Sequence, residues 1–491
     1  MIQIPNKKNL EVWSQPNTSD SIPTIWASKG IDLTENEGKV RLAKKMLLNT
    51  GTADVAEINN YPVGFRYFNN GTDSSFYTIA GNGTGYVFKA SAIDGSFVKV
   101  TTSGSPTTIN SETSDIEVAF GELYVSSASA GKVYYLDGTN TWSNLTAGSA
   151  GSPVMMTAYS NRVYCTKNGY QIQSWDSTHT VSSPSAQYTL SLGSLEKITF
   201  LRSSSNRIWI GTVNQNGGKG YIYEWDGSST QTQKSYRLES AGALACVIKD
   251  DVPYVMDANG QLIVWNGGTF KTVGKLNRRR NKPLFNPYYA SNQRFIHPNG
   301  MSIINGRVNM LIDGTNYDAG SHNGSQEETI SSGIYEYTVE HGLYQKNVFG
   351  LTKSGASSTD FGQFRIKGAG GLSEILTAQS AITTNGTFLA GISYYTDATT
   401  TTSGIFYDDN NDTIQKGGYV DTYKVYSPNI TETWQTFFYR YRKLLSSGDK
   451  IVVKYRTEEA EPTEITITWS TIGASTSTFT TTDANIANYA I

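Results

Sequence analysis

The 491-residue sequence predicts an all-β fold, a β-propeller of about seven four-stranded blades followed by a small C-terminal β-module. Three observations predict it. Short runs of period-2 alternation recur along the chain, bounded by turn residues. They return in units mostly 40 to 55 residues apart, with a last gap of 80, close to the period of a propeller blade. The composition is turn-rich and sparsely charged, with 47 Gly, 31 Tyr and only 17% charged residues. No long amphipathic helical pattern interrupts it; the best short one, "GKVRLAKKMLLNTG" from Gly38, reads equally well as strand.

The unit is clearest at "YIYEWDGSST" from Tyr221. Alternation over the first residues gives a strand with one buried face, and Asp226-Gly227 supplies a turn because Gly takes positive φ without steric cost. "GKVYYLDGTNTW" from Gly131, "YQIQSWDSTHT" from Tyr170 and "GQLIVWNGGTF" from Gly260 repeat the form, and Gly85, Ser332 and Ser403 open looser copies. Each follows another strand of one type. The centres of those preceding strands are Tyr77, Tyr124, Tyr164, Trp209, Tyr254, Asn309 and Leu389. This register places Trp175, Trp225 and Trp265 at equivalent positions, each ending the third strand before the same turn. One blade cannot bury both faces of its sheet, whereas radial packing buries them all. A two-sheet sandwich with extra hairpins is the alternative, but it needs no such regular repeat.

Three regions follow. Residues 1–50 are an arm carrying a strand that completes the last blade, with "GIDLTENEGKVRL" from Gly30 as candidate. Residues 51–427 are the propeller. Residues 428–491 are the β-module, in which "GDKIVVKYRT" and "TEITITW" should pair. The final "NYAI" looks like the start of another strand. The reading therefore expects either a longer polypeptide or docking of Tyr489 and Ile491 on a partner subunit.

A net charge of −2 makes the whole chain no electrostatic magnet for nucleic acid or membrane. No apolar stretch is long enough to cross a bilayer, and the N-terminus has no signal-peptide core. A polar, Tyr- and Thr-rich surface without an export signal suits a component of a virus particle released by lysis. Cys165 and Cys246 read as buried free thiols, with neither CxxC spacing nor a nearby His.

"IPTIWASKGIDLTENEGKVRLAKKM" from Ile22 resembles the start of propeller-bearing structural proteins of tailed bacteriophages. "YVDTYKVYSPNITETWQTFFYRYRKLLSSGDKIVVKYRTEEAEPTEITITW" from Tyr419 resembles the β-module that follows such propellers. The resemblance spans roughly the first fifty and the last seventy-five residues. It implies a tail hub or nozzle component in the virion, assembled as a sixfold homo-oligomeric ring around the DNA exit channel. The implied partners are other tail or adaptor proteins, with transient contact to passing DNA and no membrane insertion.

One insertion, Gly274 to Gly300, interleaves Arg278, Arg279, Arg280, Lys282 and Arg294 with Phe285, Tyr288, Tyr289 and Phe295. Such a mixture can track a phosphate backbone, anchor a protein interface or form a solvated loop; the interface is the reading adopted. A second insertion from Tyr317 reads as a polar hairpin tip. No GxSxG, HExxH or P-loop occurs, and no cofactor is expected. "DDNND" from Asp408 starts like a calcium loop but lacks the sixth-position Gly and twelfth-position acid. "DGTNTW" from Asp137 resembles the structural turns of sialidase-like propellers. Three classes of function remain: a virion building block, not an enzyme, which is favoured; a glycan- or receptor-binding module using exposed blade aromatics; and a glycan-cleaving enzyme, which needs two carboxylates facing one sugar.

Overall fold

The computed structural model describes residues 25–32, 41–44, 46–49, 51, 57–92, 95–181, 189–276, 295–314, 330–349, 365–374, 388–395 and 401–408, with strand segments between 419 and 490. The described chain is all β. Four short N-terminal strands come first: β1 (Ile25–Lys29), β2 (Ile31–Asp32), β3 (Arg41–Leu42) and β4 (Met46–Leu48). Seven antiparallel blades follow, each a meander whose strands pair in chain order. Blade 1 is β5–β8 (residues 63–99), blade 2 is β9–β12 (116–146), blade 3 is β13–β16 (156–191) and blade 4 is β17–β20 (196–237). Blade 5 is β21–β24 (243–275), blade 6 is β25–β28 (301–348) and blade 7 begins with β29–β31 (365–408). The first strand of every blade lies beside the first strands of its two neighbours, and β29 returns to β5, so the ring closes.

All seven central residues named from the sequence fall in second strands. Pairing also confirms the tryptophan register. Tyr164, Trp209 and Tyr254 lie opposite Ser174, Glu224 and Val264, so Trp175, Trp225 and Trp265 each sit one residue beyond that partner. The turn chemistry differs in detail from a simple Asp-Gly rule. In blade 4 Gly227 takes φ 81°, as expected, but in blades 2 and 3 positive φ falls on Asn140 and His179, three residues after the Asp. There the carboxylate does the capping: Asp137 Oδ1 accepts from the backbone N–H of Thr139 and Thr141 at 2.8 and 2.9 Å, and Asp176 repeats this on Thr178 and Thr180. Four of the connections between first and second strands are two-residue turns with both φ positive (Phe120-Gly121, Ser160-Asn161, Asp250-Asp251 and Asn305-Gly306). That is type I′ geometry, whose twist matches that of the strands.

The core is divided among seven clusters, one at each blade junction. Their construction explains why the strand-2 aromatic and the strand-3 turn recur together. They meet across the seam. Tyr164 of blade 3 packs edge-on against Trp225 of blade 4 at 5.5 Å, and its hydroxyl donates to the Gly227 carbonyl at 3.0 Å. Trp209 meets Trp265 of blade 5 at 5.4 Å, and Tyr254 meets Tyr337 of blade 6 at 6.1 Å. Cys165 and Cys246 are free and buried in two of these seams, where burial raises both thiol pKa values, that of Cys246 to about 12.

Blade 7 is completed from the N-terminus, but not by the expected segment. Met46–Leu48 pairs antiparallel with β31, and Asn49 N–H donates to the Ile405 carbonyl at 2.8 Å. Met46 is buried in the seam between blades 6 and 7, and Leu48 covers Gly404, where any Cβ would meet its Cδ1. The segment favoured from sequence instead forms a small ladder of Ile31–Asp32 with Arg41–Leu42. It docks on blade 6 through Asp32. Lys346 Nζ lies 3.1 Å from Asp32 Oδ2 and 3.1 Å from Glu336 Oε2. Burial pulls the Lys346 pKa down, but Glu336 and Asp32 outweigh it and hold the ammonium above its ordinary value.

Blade 6 carries two further strands. β1 pairs parallel with β28 at Lys29–Gln345, and β32 (Tyr419–Thr422) pairs antiparallel with β1, giving a six-stranded sheet. Beyond it, Lys450–Tyr455 pairs with Thr463–Thr468 as expected, and Tyr489–Ala490 pairs with Val425–Tyr426 of the same chain.

Two measurements test this account. Trp225→Ala should cost about 3–5 kcal/mol, the usual loss for a buried Trp, read as a lower urea midpoint. Lys346→Met leaves two buried carboxylates short of a cation and should cost about 3–5 kcal/mol. A raised lysine pKa stabilises below the unfolded value and is lost as pH rises through the folded one. The gap between wild type and Lys346→Met should therefore shrink above about pH 10.

Candidate functional site

The first strands of the seven blades surround a central channel, and the end of the basic insertion closes part of it. Phe295 and Ile296 are buried in the seam between blades 5 and 6. His297-Pro298-Asn299-Gly300 then turns, with Gly300 N–H donating to the His297 carbonyl at 2.8 Å. Pro at the second position and Asn at the third suit such a turn. The turn brings Asn299 within hydrogen-bond reach of blades 4 and 7 and of the segment ahead of blade 2.

Asn299 is the hub of this plug. Its Nδ2 donates to Asp115 Oδ1, ahead of blade 2, at 2.8 Å, and its Oδ1 accepts from Arg202 Nη2 of blade 4 at 2.7 Å. Its carbonyl accepts from Leu372 N–H of blade 7 at 2.9 Å. Its own N–H donates to His297 Nδ1 at 3.0 Å. His297 Nε2 lies 3.0 Å from the Ser111 carbonyl, between blades 1 and 2. A carbonyl only accepts, so Nε2 carries the proton and the ring is assigned as the neutral Nε2–H tautomer. Arg202 also donates to the carbonyls of Cys246, Leu201 and Pro298 at 3.1, 2.8 and 2.9 Å. Asp115 accepts from Ile116 N–H and Met156 N–H, both at 2.9 Å. The connection into blade 6 is thus bonded to sites all round the ring.

Beside the plug lies a cavity of about 260 Å³. Blades 1, 2, 3, 4, 6 and 7 contribute Arg66, Glu117, Thr157, Ser203, Ser302 and Ser373, and blade 5 adds Val247. Arg66 Nη2 stands 3.7 Å from Glu117 Oε2, with these side chains 28% and 21% exposed. Thr157 Oγ1 donates to Ser203 Oγ at 3.3 Å. Glu117 is the only acid among the described lining residues. The nearby Asp115 has both oxygens taken by N–H donors, so the cavity wall does not present the paired carboxylates of a glycosidase.

The residues singled out from sequence fare unequally. Phe295 is a core residue, 4% exposed, and not part of an interface: its ring fills the seam where the insertion rejoins the blades. Arg278, Arg279, Arg280, Lys282, Phe285, Tyr288, Tyr289 and Arg294 lie outside the described residues, as does the tip of the second insertion. Asp408 caps locally, its Oδ1 accepting from Phe388 N–H at 2.9 Å, while the rest of its acidic run lies outside the described residues. Among the described residues no cluster of three or more metal-ligating side chains occurs, and no helix is long and apolar enough to cross a membrane. Sequence reasoning missed the plug. The "HPNG" turn signal was present, but nothing in it tells which blades Asn299 reaches.

Asn299→Ala should destabilise the protein by at least about 2 kcal/mol in urea unfolding. It strands Asp115 and Arg202 partners inside the channel, and each unsatisfied buried polar group costs about 1–3 kcal/mol.

No family model matches the sequence, and no curated protein matches it. Among solved structures, virginiamycin B lyase from Staphylococcus aureus aligns over 74% of this chain and 98% of its own, at 11% identity and a TM-score of 0.44. A streptogramin B lyase aligns over 75% and 98%, at 10% identity and 0.43. The computationally designed Ika8 protein aligns over 70% and 83%, at 16% identity and 0.36. Two of the three are enzymes by name; at these values the likeness carries no argument about chemistry in this chain.

Proposed function

We propose that the chain is a structural component of a tailed-bacteriophage particle, a propeller building block of the tail hub or nozzle ring around the DNA exit channel. The observation that carries this reading is the edge of blade 6. There β1 from one end segment and β32 leading to the other extend the same sheet of a closed, internally braced propeller. The arrangement suits a mounting block, with both accessory segments rooted on one rigid edge. Those two segments are also the ones whose sequences resemble phage tail proteins. The propeller's own channel is plugged by Asn299, so in this reading DNA passes through the lumen of the assembled ring and not along a propeller axis.

Glycan or receptor binding through aromatic blade tips is the second reading. It draws less support, because the exposed large apolar side chains among the described residues are Val98, Phe120, Leu195 and Val339, only one of them aromatic. The tryptophans of the blade turns are spent on the seams.

Mass spectrometry of purified particles should find this chain as a stoichiometric component; its absence from intact particles sinks the proposal. Native mass spectrometry of the isolated chain should show a ring, expected to be sixfold. Replacing Arg278, Arg279 and Arg280 by Ser should weaken that assembly and leave the monomer melting temperature nearly unchanged, as surface substitutions usually do. A large fall in monomer stability would instead make the insertion part of the fold.

A further inference from the structure

We propose that the axial cavity is a binding cup for a small neutral polyhydroxyl molecule of monosaccharide size. The inference stands independently of any place in a virus particle. Its basis is the chemistry of the wall. Asn299 and the Arg202 clamp form a floor in which every named polar atom has a partner. Above it the lining changes to hydroxyls, Thr157, Ser203, Ser302 and Ser373, together with the partly exposed Arg66–Glu117 pair. Met301 and Leu372 supply apolar patches between them.

Charge selects the ligand class. The cup and its floor hold two cations, Arg66 and Arg202, and two carboxylates, Glu117 and Asp115. An anion would face Glu117, and a cation would face Arg66, with no excess of opposite charge to offset desolvation. A polyol meets neither penalty. One of its hydroxyls can donate to the Glu117 carboxylate while a neighbouring one accepts from Arg66. Thr157 donates to Ser203 at 3.3 Å, and Ser302 and Ser373 donate to the Ile303 and Glu374 carbonyls at 3.4 and 3.2 Å, so these oxygens keep lone pairs to accept from a polyol while the Ser203 O–H can donate to it; the apolar patches receive C–H faces. The size also fits, since about 260 Å³ lies below the roughly 300–1,000 Å³ of sites for drug-sized ligands. Arg202 contributes less as a ligand group, because carbonyls and Asn299 occupy four of its five N–H donors.

The test uses the full chain with D-glucose, D-galactose and D-mannose as probes, read by ligand-observed saturation-transfer NMR and by thermal shift. Sodium sulfate and glycine serve as charged comparators. At least one hexose should bind saturably, with a dissociation constant on the order of 1 mM for a ligand of about a dozen heavy atoms. Glu117→Gln and Ser373→Val should each weaken it by roughly tenfold, the usual loss of one good hydrogen bond. Both variants should keep the wild-type melting temperature without ligand, which separates lost binding from lost fold. The proposal is overturned if no hexose saturates or if sulfate binds more tightly than all three. It is also overturned if hexose binding persists undiminished in both variants, which would place the site elsewhere.

Discussion

A four-stranded sheet has two faces and, among the described residues, no helix to cover either, so the propeller depends on burying blade against blade. The recurring contact that does this is an aromatic in the second strand of one blade meeting the strand-3 turn of the next. It couples two otherwise separate sequence features. The residue before the Asp turn must be bulky because it is the far wall of a neighbour's pocket, as Trp225 is for Tyr164. The turn itself must be tight and internally capped because its backbone is a contact surface, as when the Gly227 carbonyl receives the Tyr164 hydroxyl. Seven seams make a ring in which no blade is stable alone; the aromatic contact joins blades 3 to 6, while the second strands of blades 6 and 7 carry Asn309 and Leu389 at that position.

A ring of seams has one weak place, the junction where the chain's beginning and end must meet. Here that junction draws on several devices. β4 completes blade 7, and Leu48 fits over a glycine that leaves room for it. Asp32 enters a buried ion cluster with Lys346 and Glu336, a pairing that costs desolvation and so depends on geometry. Asn299 bonds to blades on different sides of the channel, so loosening one seam is resisted from the centre. The same plug shapes the cavity, since a channel with a bonded floor is a cup and not a tunnel.

This division of labour bears on function. The blade faces and their tryptophans are consumed by packing, which leaves chemistry to the axis and assembly to the edges and insertions. Among the described residues, the cavity on the axis presents hydroxyls, the Arg66–Glu117 ion pair and a single acid. The edge of blade 6 collects segments from both ends of the chain. The building-block reading rests on that edge, and the ligand reading rests on the cup; neither requires the other.

The sequence by itself determined the blades. Alternation and turn residues placed all seven second strands, the first five at a 40- to 50-residue period, and the equivalence of Trp175, Trp225 and Trp265, because these are local consequences of pleat and turn geometry. It also identified closure by an N-terminal strand, yet placed that strand at Gly30–Leu42, where the structure uses Met46–Leu48. Both segments alternate acceptably, and only the groove beside β31, with Gly404 under Leu48, distinguishes them. Phe295 read as an interface aromatic because it lies among arginines in the chain; the structure buries it, since burial depends on what the segment rejoins and not on its sequence neighbours. The plug and cup were invisible for the same reason. Arg66, Glu117, Thr157, Ser203, Asn299 and Ser373 are spread over more than 300 residues, and no spacing rule links them. They become one site only because closing the ring brings the first strand of every blade to a common axis.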